Sequence, residues 1–248
     1  MDTVKLRRQA ARVLSLLDLT SLGEEDTPAD IEALCASARS PIGAPAAVCV
    51  YPEHVTTARR SLEGTAVRVA TVVNFPDGAS DPKRVERETL RALGAGADEI
   101  DLVLPYRALL QGQPDRARLV VDACRGACGG GTVLKLILET GELENPEQIR
   151  QACAIGIEAG VDFLKTSTGK VPVNATPGAV ALMLEAIAAD GGRCGVKVAG
   201  GIRTLADAQA YLELIESRMG ADWIDPAHVR IGASSLYDEL ATLLSASP

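Results

Sequence analysis

Eight short runs rich in Val, Ile and Leu alternate with longer stretches of helical periodicity along this 248-residue chain. The predicted strands are 16–20, 46–50, 67–74, 98–104, 132–139, 161–166, 195–199 and 229–232. Runs such as VRVATVV and TVLKLIL are apolar at successive positions, which is typical of parallel strands covered on both faces. This alternation predicts an α/β fold, a (β/α)8 TIM barrel, with residues 1–248 as a single domain.

The helical stretches carry start signals. A capping side chain precedes a proline at three points, which are Asp81, Asn145 and Thr176. Thr204 and Asp207 have the spacing of a capping box ahead of an apolar stripe. An extra N-terminal helix, about 2–14, precedes the first strand and is expected to close the bottom of the barrel. An open Rossmann-like sheet is the alternative fold, but no G-x-G-x-x-G motif follows the first strand.

The charge pattern excludes some classes of partner. The net charge is −8 and the sequence pI is about 4.9, with acidic and basic residues interspersed. A nucleic-acid-binding or acidic-membrane surface would require a broad basic face. No run reaches the roughly 18 apolar residues of a membrane span, and the first residues lack the apolar segment of a signal peptide. The sequence therefore predicts a soluble, cytoplasmic protein with no nucleic-acid and no membrane partner.

The cysteines and histidines do not have the pattern of a metal site. The six cysteines lack zinc-site spacing, and Cys124 and Cys128 lie one helical turn apart on an apolar face. We expect free, buried thiols. His54 and His228 are too far apart for a His-rich centre, so the prediction is no metal and no cofactor.

Three lysines stand inside otherwise apolar predicted strands, at Lys135, Lys165 and Lys197. A single such lysine is as often an ordinary ion-pair partner. Three that converge in one barrel would repel each other and lose solvation, and both effects lower a lysine's pKa. A neutral lysine attacks carbonyl carbon and forms a Schiff base. Asp101, in the fourth predicted strand, could relay protons or serve equally well as a structural acceptor.

Polar turns with glycine follow the last three predicted strands: STGK at 167–170, GGIR at 200–203 and GASS at 232–235. Glycine lets backbone N–H groups approach an oxyanion, and the last turn opens a helix whose dipole favours negative charge. Barrels frequently bind phosphate at this place. A Gly-Gly pair alone is usually just a turn, but with Lys170 and Arg203 nearby these turns indicate a phosphorylated substrate.

The string DFLKTSTGKV (162–171), followed by VNATP (173–177), resembles the Schiff-base segment of deoxyribose-phosphate aldolases. Further matches in the family's order are LDLTSL (17–22), VCVYP (48–52), VNFPDG (73–78), GADEIDLV (96–103), LKLILETGEL (134–143), AGGIR (199–203), GADW (220–223) and RIGASSL (230–236). The resemblance implies a class I aldolase that reversibly cleaves 2-deoxy-D-ribose 5-phosphate to D-glyceraldehyde 3-phosphate and acetaldehyde without metal. It also implies a monomer or homodimer.

Carried over by position, the resemblance implies that Lys165 is the Schiff-base lysine and Lys197 the second lysine that lowers its pKa. Asp101 matches the acid of a proton relay that works through water, and Lys135 belongs to the same network. The implied substrate- and phosphate-binding residues are Thr20, Asp18, Cys49, Thr166, Gly169, Lys170, Gly200, Gly201, Arg203, Gly232, Ser234 and Ser235.

The sequence departs from the family pattern at two points. Val198 follows Lys197 where the family commonly has proline. Some members end in a tail whose tyrosine assists proton transfer, whereas the last tyrosine here is Tyr237 and the sequence ends at Pro248, so we expect slower enamine protonation. Three other readings stay open: another Schiff-base barrel aldolase, an inactive barrel that binds a sugar phosphate, and a metal-dependent aldolase.

Overall fold

The strands of the computed structural model, which describes residues 3–245, form a closed parallel barrel in which neighbours follow chain order. They are β1 Leu17–Ser21, β2 Ala47–Val50, β3 Arg68–Val73, β4 Glu99–Val103, β5 Val133–Ile137, β6 Phe163–Lys165, β7 Gly195–Ala199 and β8 Val229–Ala233. The ring closes where β1 pairs with β8. The predicted (β/α)8 fold is therefore confirmed; the predicted domain 1–248 also includes residues 1–2 and 246–248, outside the described residues.

Helices cover the outside of the strands. They are α1 Thr3–Ser15, α2 Pro28–Ala38, α3 Val55–Ser61, α4 Pro82–Gly94, α5 Tyr106–Leu110, α6 Pro114–Ala127, α7 Pro146–Glu158, α8 Pro177–Ala189, α9 Leu205–Met219 and α10 Leu236–Ser245. The caps predicted at Asp81, Asn145 and Thr176 are confirmed, because each side chain accepts a bond from the backbone N–H three residues later. The Thr204–Asp207 capping box is confirmed as well. None of the helices in residues 3–245 is long and apolar enough to cross a membrane.

The extra N-terminal helix is confirmed as α1, although residue 2 of the predicted range lies outside the described residues. Its expected closure of the barrel bottom stays a prediction. The buried residues of α1 are Ala10, Val13 and Leu14, and the helix packs mainly against α9 and α10. Arg7 donates to the carbonyl of Leu244 in α10 at 2.9 Å. A helix with one apolar stripe satisfies that stripe in the outer layer, so α1 extends the helical layer.

The barrel interior is divided between small apolar and charged side chains. On β2 and β3 the buried residues Ala47, Cys49, Ala70 and Val72 form a cluster of their own. Charged side chains from β1 and from β4 to β8 fill the rest of the interior, and all of them are buried: Asp18, Glu99, Asp101, Lys135, Lys165, Lys197 and Arg230. All six cysteines are free and buried, as predicted. The buried charges of the interior therefore come from six of the eight strands.

Helix α7 packs very closely on the strands beneath it, and Gly156 permits this approach. A Cβ at Gly156 would lie 2.8 Å from Leu164 Cδ2 and 2.9 Å from Leu136 Cδ2. Both leucines are completely buried on neighbouring strands, so neither can move aside into solvent.

We expect Gly156→Ala to lower the free energy of unfolding by about 1–3 kcal/mol through overpacking, although alanine is the better helix former. Gly126→Ala in α6 is the matched control, because a Cβ there meets no atom within 4 Å. That control should raise the free energy of unfolding by about 0.5–1 kcal/mol. Urea titration would measure both, and equal gains for the two variants would contradict the packing argument.

Candidate active site

The carboxylate of Asp101 on β4 accepts hydrogen bonds from three lysines. Lys135 Nζ donates to Oδ1 at 2.9 Å, while Lys165 Nζ and Lys197 Nζ share Oδ2 at 2.8 and 2.7 Å. Strand register explains the convergence, since Asp101 lies beside Lys135 and Lys165 lies beside Lys197. The structure thus brings together the four residues that the sequence assigned to catalysis.

The three lysines differ in how many carboxylates they contact. Lys197 Nζ also donates to Asp18 at 2.5 Å. Lys135 Nζ also donates to Glu99 at 2.5 Å and lies 3.5 Å from Asp18. Among the residues described, the one ion pair of Lys165 is with Asp101. Lys165 is therefore the ammonium group with the weakest electrostatic support.

This difference separates the pKa values of the amines. Burial lowers the pKa of Lys165; Asp101 opposes the shift, and the neighbouring Lys197 adds to it. Burial also disfavours charge on Lys197 and Lys135, but their carboxylate partners outweigh it and raise both pKa values above the ordinary value. The expectation that burial and repulsion lower the pKa of all three lysines is thus wrong for Lys135 and Lys197, because each has additional carboxylate partners.

The carboxylates remain ionised despite their burial. Burial favours the neutral acid of Asp101, but Lys135, Lys165 and Lys197 hold its pKa well below the usual range. The pKa of Asp18 is lowered too, because Lys197, Lys135 and Arg230 outweigh its desolvation. In the resting site, protons are therefore held on Lys135 and Lys197, and Asp101 is an anion that orients the amines.

Sequence reasoning missed Glu99 and Arg230. Arg230 Nη1 donates to Asp18 Oδ1 at 2.7 Å, and Nη2 donates to Glu99 Oε1 at 2.9 Å. Two signals were present in the sequence. Glu99 is two residues before Asp101 and so faces the same side of β4, and Arg230 interrupts the apolar strand β8.

A cavity of about 410 Å³ opens above Lys165 at the C-terminal ends of the strands. Ten of the predicted residues line it: Thr20, Lys165, Gly169, Lys170, Gly200, Gly201, Arg203, Gly232, Ser234 and Ser235. Sequence reasoning did not assign the other lining residues, which are Ser21, Leu22, Gly23, Thr168, Ala199, Ile202 and Ala233. The cavity therefore brings the Lys165 amine together with the glycine turns.

The turns around this cavity need glycine for conformation and for space. Gly169, Gly200 and Gly201 have φ values of 83°, 87° and 85°. A Cβ on Gly200 would also lie 2.6 Å from Asn174. Helix α10 begins at Leu236, immediately after Ser234 and Ser235, so its free N–H groups and its dipole lie at the edge of the cavity. Together with Lys170 and Arg203, these groups form a surface suited to a phosphate.

Glu139 fixes the turn that follows β6. Its carboxylate accepts from the backbone N–H of Thr168 at 3.0 Å and from the Thr168 hydroxyl at 2.6 Å. That hydroxyl in turn accepts from the N–H of Lys170 at 3.0 Å. Burial raises the pKa of Glu139, and the bonds from Thr168 oppose the shift. Glu139 is buried at φ 56°, an uncommon conformation for a residue other than glycine, and it orders residues 168–170.

Several predicted residues lie outside the cavity lining. Thr166 exchanges two hydrogen bonds of 3.0 Å with the backbone of Ala199, which ties β6 to β7. Asp18 and Cys49 are buried beneath the cavity, and burial raises the pKa of the Cys49 thiol. Tyr237 donates to the carbonyl of Ser37 at 2.7 Å. The tail considered for proton transfer, 246–248, lies outside the described residues.

The comparisons with known proteins agree with this geometry. The family model described as DeoC/LacD family aldolase matches residues 12–239. A Toxoplasma gondii ME49 protein with the provisional name deoxyribose-phosphate aldolase is 26% identical, with a TM-score of 0.90 over 99% of both chains. A Coccidioides immitis protein with the same provisional name is 30% identical, with a TM-score of 0.81 over 94% of this chain and 87% of that one. A structure named QR15, an aldolase, is 31% identical, with a TM-score of 0.78 over 93% of this chain and 96% of that one.

A family match over most of the barrel and its site, together with this structural similarity, shows that the chain belongs to the DeoC/LacD family of aldolases.

Proposed function

We propose that this aldolase works as a class I enzyme, with Lys165 as the Schiff-base nucleophile and 2-deoxy-D-ribose 5-phosphate as the substrate. The observation that carries the proposal is the position of Lys165. It lines the cavity, it is the lysine of the cluster with a single carboxylate partner, and its pKa is lowered. A neutral amine facing a substrate cavity can attack an aldehyde without first losing a proton.

The proposed reaction begins when the Lys165 amine adds to the C1 aldehyde carbon. Lys197 supplies the proton with which the C1 oxygen leaves as water, and this gives an iminium ion. The neutral Lys197 amine then accepts the C3 hydroxyl proton through water, the C2–C3 bond breaks and glyceraldehyde 3-phosphate is released. The electron pair of that bond forms an enamine on Lys165. Protonation at C2 and hydrolysis release acetaldehyde and restore the amine. The protonated Lys197 beside Lys165 is the nearest proton source, and Asp101 keeps the two amines aligned.

The phosphate assignment rests on the glycine turns that surround Lys165. A phosphate held by the N-terminal end of α10 and the Gly200–Gly201 turn, with Lys170 beside it, would leave the far end of a five-carbon sugar directed at the strand ends. Binding energy from the phosphate would then orient the carbonyl against the amine. The provisional names of the Toxoplasma and Coccidioides proteins support the same substrate.

The other readings have less support. An inactive sugar-phosphate binder would need the turns but not a buried lysine whose pKa is lowered. Another Schiff-base aldolase shares the chemistry and differs only in substrate. Cytoplasmic location, metal independence and a monomeric or dimeric state stay predictions from the sequence.

Borohydride reduction in the presence of acetaldehyde should attach an ethyl group to Lys165, because the iminium ion is trapped as a stable secondary amine. Peptide mass spectrometry would locate the adduct. Lys170→Met is the matched control from the same segment and should keep the adduct while binding phosphorylated sugar less well, since Lys170 lines the phosphate end of the cavity. An enzyme that cleaves deoxyribose 5-phosphate without any adduct on Lys165, or only without EDTA, would contradict the class I assignment.

The cleavage rate should fall as the pH falls through the pKa of Lys165, because the protonated amine is no nucleophile. Lys197→Leu should move this fall in the cleavage rate to higher pH by about 1–3 pH units. Asp101 then loses a competing ammonium and stabilises the charge on Lys165. A pH–rate profile for both proteins tests the sign. If the rate falls at the same pH in both proteins, Lys197 does not act on the Lys165 amine.

Glu139→Ala should raise the KM for deoxyribose 5-phosphate about tenfold, because losing the two bonds to Thr168 frees the turn that holds Lys170. Trapping of acetaldehyde on Lys165 should change less than twofold, since acetaldehyde carries no phosphate. A matched loss in both assays would assign Glu139 to the amine site instead.

A further inference from the structure

Beneath Asp101 lies a second layer of ion pairs that does not reach the cavity. The guanidinium of Arg230 binds Asp18 at 2.7 Å and Glu99 at 2.9 and 3.1 Å. Its Nε donates to the carbonyl of Pro226 at 2.6 Å, and its carbon Cζ lies 5.4 Å from the centre of the Phe163 ring. Arg230 is thus rigidly held and connected to the lysine cluster only through carboxylates.

The charges inside the barrel do not balance if every group is ionised. Four cations, one from each of β5 to β8, face three carboxylates from β1 and β4: Lys135, Lys165, Lys197 and Arg230 against Asp18, Glu99 and Asp101. From β2 comes Cys49, a thiol whose pKa is raised by burial, and from β3 come Ala70 and Val72. The fully charged network therefore carries one excess positive charge in a buried place, which is costly.

Glu139 is a further buried carboxylate near this network. It binds Thr168 at the mouth, and within residues 3–245 it makes no ion pair with any of the four cations. Lys165 does act on Glu139 electrostatically and lowers its pKa, against the larger effect of burial. Glu139 therefore interacts with the network only beyond ion-pair distance.

The number of carboxylate partners decides which cation gives up its proton. Arginine stays protonated in proteins. Within residues 3–245, Lys135 contacts three carboxylates and Lys197 contacts two, whereas Lys165 contacts Asp101 alone. Removing the proton from Lys165 loses the fewest ion pairs and leaves three positive charges against three negative ones.

We propose that Arg230, acting through Asp18 and Glu99, is the positioning residue that supplies the fourth cation and thereby keeps the Lys165 amine uncharged. The inference deepens the proposed function and rests on it in one respect, since it makes the neutral Lys165 amine the nucleophile. Because Arg230 lies outside the cavity, it acts by charge and not by contact with substrate.

Three variants change the charge count in different directions. Arg230→Met leaves three lysines facing three carboxylates, so all three can be protonated and the pKa of Lys165 should rise by about one pH unit. Glu99→Gln leaves four cations facing two carboxylates, and that pKa should fall further. The double variant has three lysines and two carboxylates, which restores the excess of the native network, so the pKa should return to near the native value. Arg230→Lys keeps the charge and should change it by less than about half a unit.

The readout is the pH dependence with which acetic anhydride labels Lys165 in the absence of substrate, followed by peptide mass spectrometry. Near-ultraviolet circular dichroism identifies variants that fold. Opposite shifts in the single variants and recovery in the double variant support the proposal. An unchanged Lys165 pKa, or shifts of the same sign, would overturn it. If Arg230→Met does not fold, the fall in the Lys165 pKa expected for Glu99→Gln decides by itself. The absence of that fall would also overturn the proposal.

The failure of the proposed function would look different. If Lys165 is labelled as expected but the protein does not cleave deoxyribose 5-phosphate, the role of Arg230 stands and the proposed substrate is wrong. A protein that cleaves this sugar with the pH limb unchanged in Arg230→Met and in Glu99→Gln would retain the function and lose the role of Arg230.

Discussion

Two lysine amines share a single oxygen of Asp101, and the properties of the site follow from this competition. Lys165 and Lys197 both lie within 2.8 Å of Asp101 Oδ2. Two ammonium ions this close repel strongly in a buried place. Lys197 has Asp18 as a second partner, so Lys197 holds its proton more firmly than Lys165 does. The carboxylates thus give two chemically identical amines different pKa values.

The barrel makes this competition possible by burying the charged groups together. Helices cover the outside, and across the interior from the lysines β2 and β3 contribute a buried apolar cluster. The charges on the other strands are satisfied by each other because parallel register places them side by side. The glycine turns then add a separate anion-binding surface at the mouth. The properties of the amines therefore depend on the barrel interior, whereas anion binding depends on the turns at its mouth.

Much of this arrangement could be predicted from the sequence. The eight strands were predicted from apolar runs within a few residues of their observed ends, and the helix starts from capping residues, because both signals are local. The site residues that face the cavity follow strand ends or precede glycine turns, which are local features as well. The predictions failed where the answer depended on partners distant in sequence. Nothing near Lys135 or Lys197 reveals that Glu99 and Asp18 keep their amines charged, or that Arg230 completes the network. The packing of α1 against α9 and α10 likewise joins opposite ends of the chain.

The contact between Arg230 and Asp18 joins residues 212 positions apart, and the one between Lys197 and Asp18 joins residues 179 positions apart. Such contacts require the first and last strands of the ring to meet. Before that closure, Lys165 is exposed to water and holds its proton as a surface lysine does. Closure of the ring therefore completes the surroundings that lower the pKa of the Lys165 amine.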